Sequence, residues 1–312
     1  MIKKVAVQMD PIESIRFETD SSFIFSLEAQ KRGYELFYYQ PKNLYMKNGE
    51  VIAKAQKIKL KYDPKDYFKL GEDITISLSD MDVVLMRQDP PFDMNYITYT
   101  HFLEKIHPKT FVVNNPSEVR NCPEKLFVCD FKEFVPPTII SANVDSIMEF
   151  AKEYKDVVIK PLYAFGGRDV FHLTKEKNKR AKIKFLLKKY NTPIIAQKFL
   201  PGVIKGDKRV IFINGEVVSM LNRVPASGTI LSNIAAGGHA EKTTLSKREM
   251  DICSAVGPEL KKRGLITAGI DLIDGYVTEI NVTSPTGFHL LNRMHGIKLE
   301  ENFWDAVEGI IG

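Results

Sequence analysis

The stretch AGIDLIDGYVTEINVTSPTG, residues 268–287, constrains this chain more than any other. Ile270, Leu272, Val277, Ile280 and Val282 make it an apolar hairpin suited to the centre of a sheet. Yet it carries Asp271, Glu279 and Asn281, and unpaired acids in such strands are costly to bury. Glu279 and Asn281 are two apart, so their side chains share one face. Asp271 joins that face only if the connecting loop has an odd number of residues, such as Asp274-Gly275-Tyr276. A two-residue turn would send it to the other side. Carboxylates and an amide oxygen, without His or Cys, suit a hard cation such as Mg²⁺. The plainer alternative is a solvated strand face bearing ordinary acids.

A second motif is VVIKPLYAFGGRDVFHL, residues 157–173. Lys160 ends a β-rich apolar run close to the pair Gly166-Gly167. A lysine followed by a glycine loop between antiparallel strands can lay backbone N–H groups over a polyphosphate. It is not a P-loop, because GxxxxGK[ST] is absent. A hairpin turn with an incidental lysine is the alternative. In GDKRVIFINGE, Asp207, Lys208 and Arg209 enter a strand, and Arg223 leaves the paired one. Two guanidinium groups at strand ends can grip carboxylate or phosphoryl oxygens in bidentate fashion. The Gly/Ala-rich segment 227–241 is long enough for a lid or an ordinary exposed loop.

Around these motifs the chain reads as an α/β protein, with 312 residues enough for two or three domains. Residues 1–118 alternate strands and helices: strands at 3–9, 35–40, 82–87 and 110–115, helices at 21–33 and 96–106, and a hairpin at 44–60 turning on Asn48-Gly49. Residues 119–200 begin with an expected helix at 123–132, then a strand at 138–141, a helix at 144–154, the glycine-loop hairpin, a helix within 175–189 and a strand at 193–199. Residues 201–312 hold hairpins at 208–224 and 265–282, a loop at 225–240 and a helix at 246–263. Lysines and arginines number 44 against 39 acids, and the basic stretch 175–189 reads as a solvated amphipathic helix, so nucleic-acid binding is not expected. Three cysteines without metal spacing, no apolar run of about 20 residues and no signal-peptide pattern lead us to expect reduced thiols, a cytoplasmic location and no membrane segment.

The order Lys125, Lys160-Pro161 with Gly166-Gly167, AQKFLP, GDKRV, NIAAGG, AGIDLI and TEINVTSPTG resembles that of the bacterial glutathione synthetase family of the ATP-grasp superfamily. MDPIESI, DSSF, LEAQKRGYEL and LMRQDPPFD extend the resemblance into the N-terminal half. It implies a wound N-terminal α/β domain followed by a two-lobed ATP-grasp fold. It also implies ATP-dependent ligation of γ-glutamylcysteine and glycine through an acyl phosphate, with Mg²⁺ or Mn²⁺, by a homo-oligomer. Lys125, Lys160, Gly166, Gly167 and Lys208 would meet ATP phosphates. The strand Gln197, Lys198, Phe199 and Leu200 would hold adenine. Asp271, Glu279 and Asn281 would bind the metal. Arg209 and Arg223 would sit over the reacting carboxylate, with Asn233, Gly237, Gly238, Ser284, Pro285 and Thr286 beside the substrates. The chain departs from the family where Asp-Gly-Met-Gly-Gly becomes Tyr163-Ala164-Phe165-Gly166-Gly167, where a lid arginine becomes Leu231, where lid glycines thin to Ala226 and Ser227, and where FHLLN follows SPTG. These changes leave open a ligase for another acid and amine, or a silent nucleotide-binding protein.

Overall fold

Three sheets organise the chain in the computed structural model, which describes residues 2–227, 232 and 237–312. The first has seven strands: β1 (Lys4–Gln8), β2 (Glu35–Tyr39), β3 (Leu44–Lys47), β4 (Glu50–Leu60), β5 (Phe68–Ser77), β6 (Val83–Met86) and β7 (Phe111–Val113). β2, β1, β6 and β7 lie side by side and parallel, and their near-continuous apolar sequences suit strands covered on both faces. Helices α1 (Ser21–Lys31), α2 (Met94–Glu104) and α3 (Pro116–Asn121) accompany this sheet. The Asp20 side chain starts α1 by accepting from the Phe23 N–H at 2.7 Å. β5 is an edge strand whose charges, in FKLGEDITIS, hid it from sequence reading.

The second sheet has the order β10-β9-β11-β8, from β8 (Thr138–Ser141), β9 (Val157–Pro161), β10 (Phe171–His172) and β11 (Ile194–Lys198), with α4 (Val144–Tyr154) and α5 (Lys179–Tyr190) over it. This unit has a core of its own around Ile147, Ile159, Ile183, Leu186 and Ile194. The helix expected at 123–132 is replaced by turns and a single 3₁₀ turn, Phe127–Asp130. Here tertiary pairing overrides helical pattern, because the Glu124 and Phe134 carbonyls accept the Ile280 and Val277 N–H groups of the third sheet's edge strand.

The third sheet runs β14-β13-β12-β15-β16, from β12 (Asp207–Ile213), β13 (Glu216–Val224), β14 (His239–Glu241), β15 (Thr267–Ile273) and β16 (Tyr276–Asn281). The loop expected to reach residue 240 therefore ends in a short strand. Asn214-Gly215 turns the β12–β13 hairpin, both at positive φ, as type I′ geometry demands. Gly215 also lies against α6 (Lys247–Lys262), where an added Cβ would meet the Gly257 carbonyl oxygen at 2.6 Å.

The sequence reading places no helix or strand beyond residue 282, but the chain closes with α7 (Phe288–His295) and α8 (Leu299–Ile311). Both return to α1. Fully buried Trp304 donates its Nε1–H to the Phe25 carbonyl at 2.7 Å, and Phe25 stacks on Phe303 with centroids 4.3 Å apart. Two apolar cores run continuously between the first and third sheets. Asn114 joins these sheets: its amide nitrogen donates to the Thr267 and Val282 carbonyls at 2.8 and 2.7 Å, and its oxygen accepts from the Thr267 N–H at 2.9 Å.

Candidate active site

A cleft of about 830 Å³ lies where the three sheets converge. Its carboxylates are set by strand register. The β15–β16 turn is the two-residue Asp274-Gly275, the case in which simple alternation sends Asp271 to the wrong face. A bulge between Asp271 and Leu272 shifts the register by one, so Asp271 lies directly opposite Glu279. On its other side Asp271 pairs with Arg209, while Asp207 pairs with Arg223.

This register builds a buried charge lattice. Arg209 grips Asp271 with two nitrogens, and Arg223 Nη2 reaches the same carboxylate at 2.9 Å. Arg223 Nε donates to Asp207, whose other oxygen accepts from Ser232. Burial alone would push the Asp271 carboxyl up, but the two guanidinium groups outweigh it and hold it at about 2. Asp207 is raised, because burial exceeds the pull of Arg223.

Further along the cleft, Glu279 Oε1 stands 3.5 Å from Lys125 Nζ and 3.8 Å from Lys160 Nζ. Burial opposes its charge, yet the two lysines hold its carboxyl below the ordinary range. Lys160 is lowered by burial, with Glu279 offsetting part of the effect. Lys125 also donates to the Ala164 carbonyl at 2.7 Å, which ties it to the glycine loop. Within that loop Tyr163 stacks on Phe92 of the first unit with centroids 6.0 Å apart, and Arg168 lies 4.8 Å over Phe165. Gly166 and Gly167 take φ of 66° and 75°, a left-handed conformation that suits glycine. The Asn281 amide nitrogen donates to Gly269 O and Asp271 Oδ2, leaving its oxygen for a cation.

The cleft collects most of the expected residues: Lys125, Lys160, Gly166, Gly167, the segment 197–200, Arg209, Arg223, Asp271, Glu279, Asn281 and Ser284–Thr286 all line it, although β11 ends at Lys198 and Phe199 and Leu200 lie beyond the strand. Lys208 does not. It sits between Asp207 and Arg209 on β12 and so faces the opposite side, paired with Glu249 at 2.7 Å. Gly237 and Gly238 stand outside the lining, and Asn233 and Leu231 fall outside the described residues. Sequence reading passed over Asp20, Arg87, Asp89, Glu124 and Asp207 as site residues, although all line the cleft. Glu124, beside Lys125, is raised by burial and then by Glu279. A cluster of alternating charge at the end of a strand, LMRQDPPFD, was the available signal for Arg87 and Asp89.

Comparison with known proteins identifies the family. The profile of the prokaryotic glutathione synthetase N-terminal domain matches residues 3–120, and that of the ATP-grasp domain matches residues 124–296. The chain is 48% identical to the glutathione synthetase of Mesorhizobium japonicum over 98% of both chains, and 40% identical to that of Vibrio vulnificus strain YJ016 over 99% and 98%. Among solved structures, a D-cycloserine synthetase superposes with a TM-score of 0.69 over 99% of this chain and 100% of its own, at 15% identity. D-alanyl-alanine synthetase A from Vibrio cholerae superposes at 0.65 over 100% and 99%, at 12% identity. Those two likenesses show the ATP-grasp fold. Taken with the full-length matches in sequence, they establish that the chain belongs to the prokaryotic glutathione synthetase family.

Proposed function

We propose that this chain joins γ-glutamylcysteine to glycine at the expense of ATP, giving glutathione, ADP and phosphate. The observation that carries this reading is Glu279 held between Lys125 and Lys160 in one cleft with the Arg209–Asp271–Arg223 lattice, in a chain that matches named glutathione synthetases end to end.

Phosphoryl transfer needs positioning and charge neutralisation more than covalent chemistry from the protein. Lys125 and Lys160 meet the transferring phosphate, and Gly166 and Gly167 let the loop backbone approach it. The end of β11 and the two residues after it, Gln197–Leu200, support adenine, with Phe199 already stacked on His172 at 4.2 Å. Asp271, Glu279 and Asn281 form an all-oxygen donor set that fits Mg²⁺, with Mn²⁺ a tolerated substitute. A bound divalent ion there would neutralise phosphate charge. Arg209 uses Nε and Nη2 on Asp271, which leaves Nη1 for an oxygen of the acid substrate. The C-terminal carboxylate of γ-glutamylcysteine attacks the terminal phosphate of ATP, the bond from that phosphorus to the bridging oxygen breaks, and ADP leaves behind an acyl phosphate. Glycine's amine then adds to the acyl carbon and phosphate leaves, while Arg209 and Arg223 face the developing oxyanion. Ser284, Pro285 and Thr286 position the substrate from the end of β16. Among the described residues no helix is long and apolar enough to cross a membrane. The expectation of a cytoplasmic location rests on the sequence, and that of a homo-oligomer working on small substrates on the family.

The test is ADP release by the purified protein with Mg·ATP, γ-glutamylcysteine and glycine, leaving out each in turn. Release that needs all of them and yields glutathione supports the assignment. Faster turnover with another amine or acid would reassign the substrates and keep the ligase chemistry.

A further inference from the structure

The wall of the cleft built by the first sheet carries a guanidinium without a counterion. Arg87, at the end of β6, is only 5% exposed. Its Nε donates to Ser22 Oγ and its Nη2 to the Pro285 carbonyl, each at 3.1 Å. Its Nη1 is buried without a hydrogen-bond partner among the described residues, and so is the Oγ of Ser21, the residue before the Ser22 that Arg87 contacts. Both residues line the cleft. No described carboxylate comes within ion-pair distance of Arg87; Asp20 and Asp89 act on it only from farther away. A buried charge left with a free N–H is costly, and each such group in a folded protein calls for an explanation. An incoming carboxylate would satisfy Nη1 and the Ser21 hydroxyl together, charge against charge.

The same wall holds the opposite sign. Asp20 and Asp89 line the cleft beside Arg87, and Asp10 accepts from the Asp89 N–H at 2.7 Å. Burial raises both carboxyls, and Asp10 raises Asp89 further. A cation placed among them would relieve that crowding. An anion site and a cation site side by side match the head of an α-amino acid.

We infer that this wall recognises the non-reacting end of the acid substrate, with its α-carboxylate on Arg87 Nη1 and Ser21 Oγ and its α-ammonium facing Asp20 and Asp89. The inference rests on the proposed function, in which that end is the glutamyl α-amino-acid group. Arg87 is then the residue that distinguishes a γ-glutamyl chain from a plain acyl chain, some distance from the carboxylate that reacts.

Two trimmed substrates test it on the unaltered enzyme. 4-Aminobutyryl-cysteine lacks the α-carboxylate, and glutaryl-cysteine lacks the α-ammonium. Each should lose about 10- to 100-fold in kcat/KM relative to γ-glutamylcysteine, mostly through KM, as expected for one charged hydrogen-bonded contact. Arg87→Met should lose a similar factor on γ-glutamylcysteine but be no worse than the parent on 4-aminobutyryl-cysteine, with KM for ATP unchanged. Arg87→Lys should recover part of the loss. Asp89→Asn should behave in the same way toward glutaryl-cysteine. Equal use of all three acids by the parent enzyme would overturn the inference and leave the ligase assignment standing. So would an Arg87→Met loss of the same size on every acid, which marks a purely structural role. No turnover of γ-glutamylcysteine and glycine by the parent would overturn the assignment and this inference with it.

Discussion

Glu279→Gln removes one charge with little change of shape, and the structure gives the consequence a size and a sign. With its Oε1 at 3.5 and 3.8 Å from two ammonium groups, the gross attraction is roughly 4–5 kcal/mol for each at an effective dielectric near 20. The carboxylate is only partly buried, with 26% of its side chain exposed, so desolvation and solvent screening offset much of this, and a net loss of about 2 kcal/mol at pH 7 is expected. The two lysines respond differently. Lys125 keeps the Ala164 carbonyl and has Glu124 within 3.9 Å. Lys160 loses the carboxylate that offsets its burial, so its proton affinity falls further below the ordinary 10.5. Between the folded value and 10.5 the unfolded chain then binds more protons than the folded one, and stability rises with pH. The deficit of the variant should therefore shrink as pH climbs from 7 toward 10. Urea midpoints of both proteins at pH 7 and 9.5 measure this, and limited acetylation followed by mass spectrometry should find Lys160 more reactive in the variant at pH 7. ADP release should fall by at least about 100-fold, because the same carboxylate is a proposed metal ligand. A deficit of equal size at both pH values, with Lys160 labelling unchanged, would refute the electrostatic reasoning.

Three other outcomes follow from named contacts. Asn114→Ala strips partners from three buried backbone groups between the first and third sheets; urea unfolding should show about 3 kcal/mol of lost stability, and a loss below about 1 kcal/mol would contradict this role. Phe92→Ala removes the ring on which Tyr163 of the glycine loop stacks, a contact worth about 0.5–1.5 kcal/mol; KM for ATP should rise about 2- to 10-fold with a smaller change in kcat, and an unchanged KM would make the stacking irrelevant to the nucleotide. Burial pushes the Cys122 and Cys253 thiols up to about 12, so neither is a thiolate at pH 8; iodoacetamide at that pH should alkylate them slowly without loss of activity, and rapid inactivation through either would overturn that reading.

The parts of the site that the sequence made legible were governed by local rules. Asn-Gly turns, a lysine ahead of paired glycines and the two-residue spacing of Glu279 and Asn281 each have a short-range cause. Alternation along a strand also contained the answer for Lys208, flanked by two cleft residues and therefore turned away. Asp271 was beyond such reading, because its position depends on a bulge that no turn length reveals. The segment 123–132 has a helical pattern, but its Glu124 carbonyl, and the Phe134 carbonyl just beyond it, accept from the N–H groups of β16. α7 and α8 have Gly287 and Lys298 at their N-cap positions and no side-chain cap, so only the acidic first turn of α8, Glu300 and Glu301, announces a start. Arg87 looked like one more charged residue until its burial and missing partner were visible.

The docking of α8 on α1 has a bearing on how the protein is made. The Trp304–Phe25 contact joins residues 279 positions apart. At about 5–20 residues per second of synthesis, α1 and the face of the first sheet behind it wait roughly 15–55 s for their cover. Through that interval Phe25 and its neighbours are exposed on the nascent chain, so the oldest part of the molecule depends on the youngest to be finished. A chain cut short between residues 287 and 303 would carry every candidate site residue down to Thr286 and still leave its first unit open.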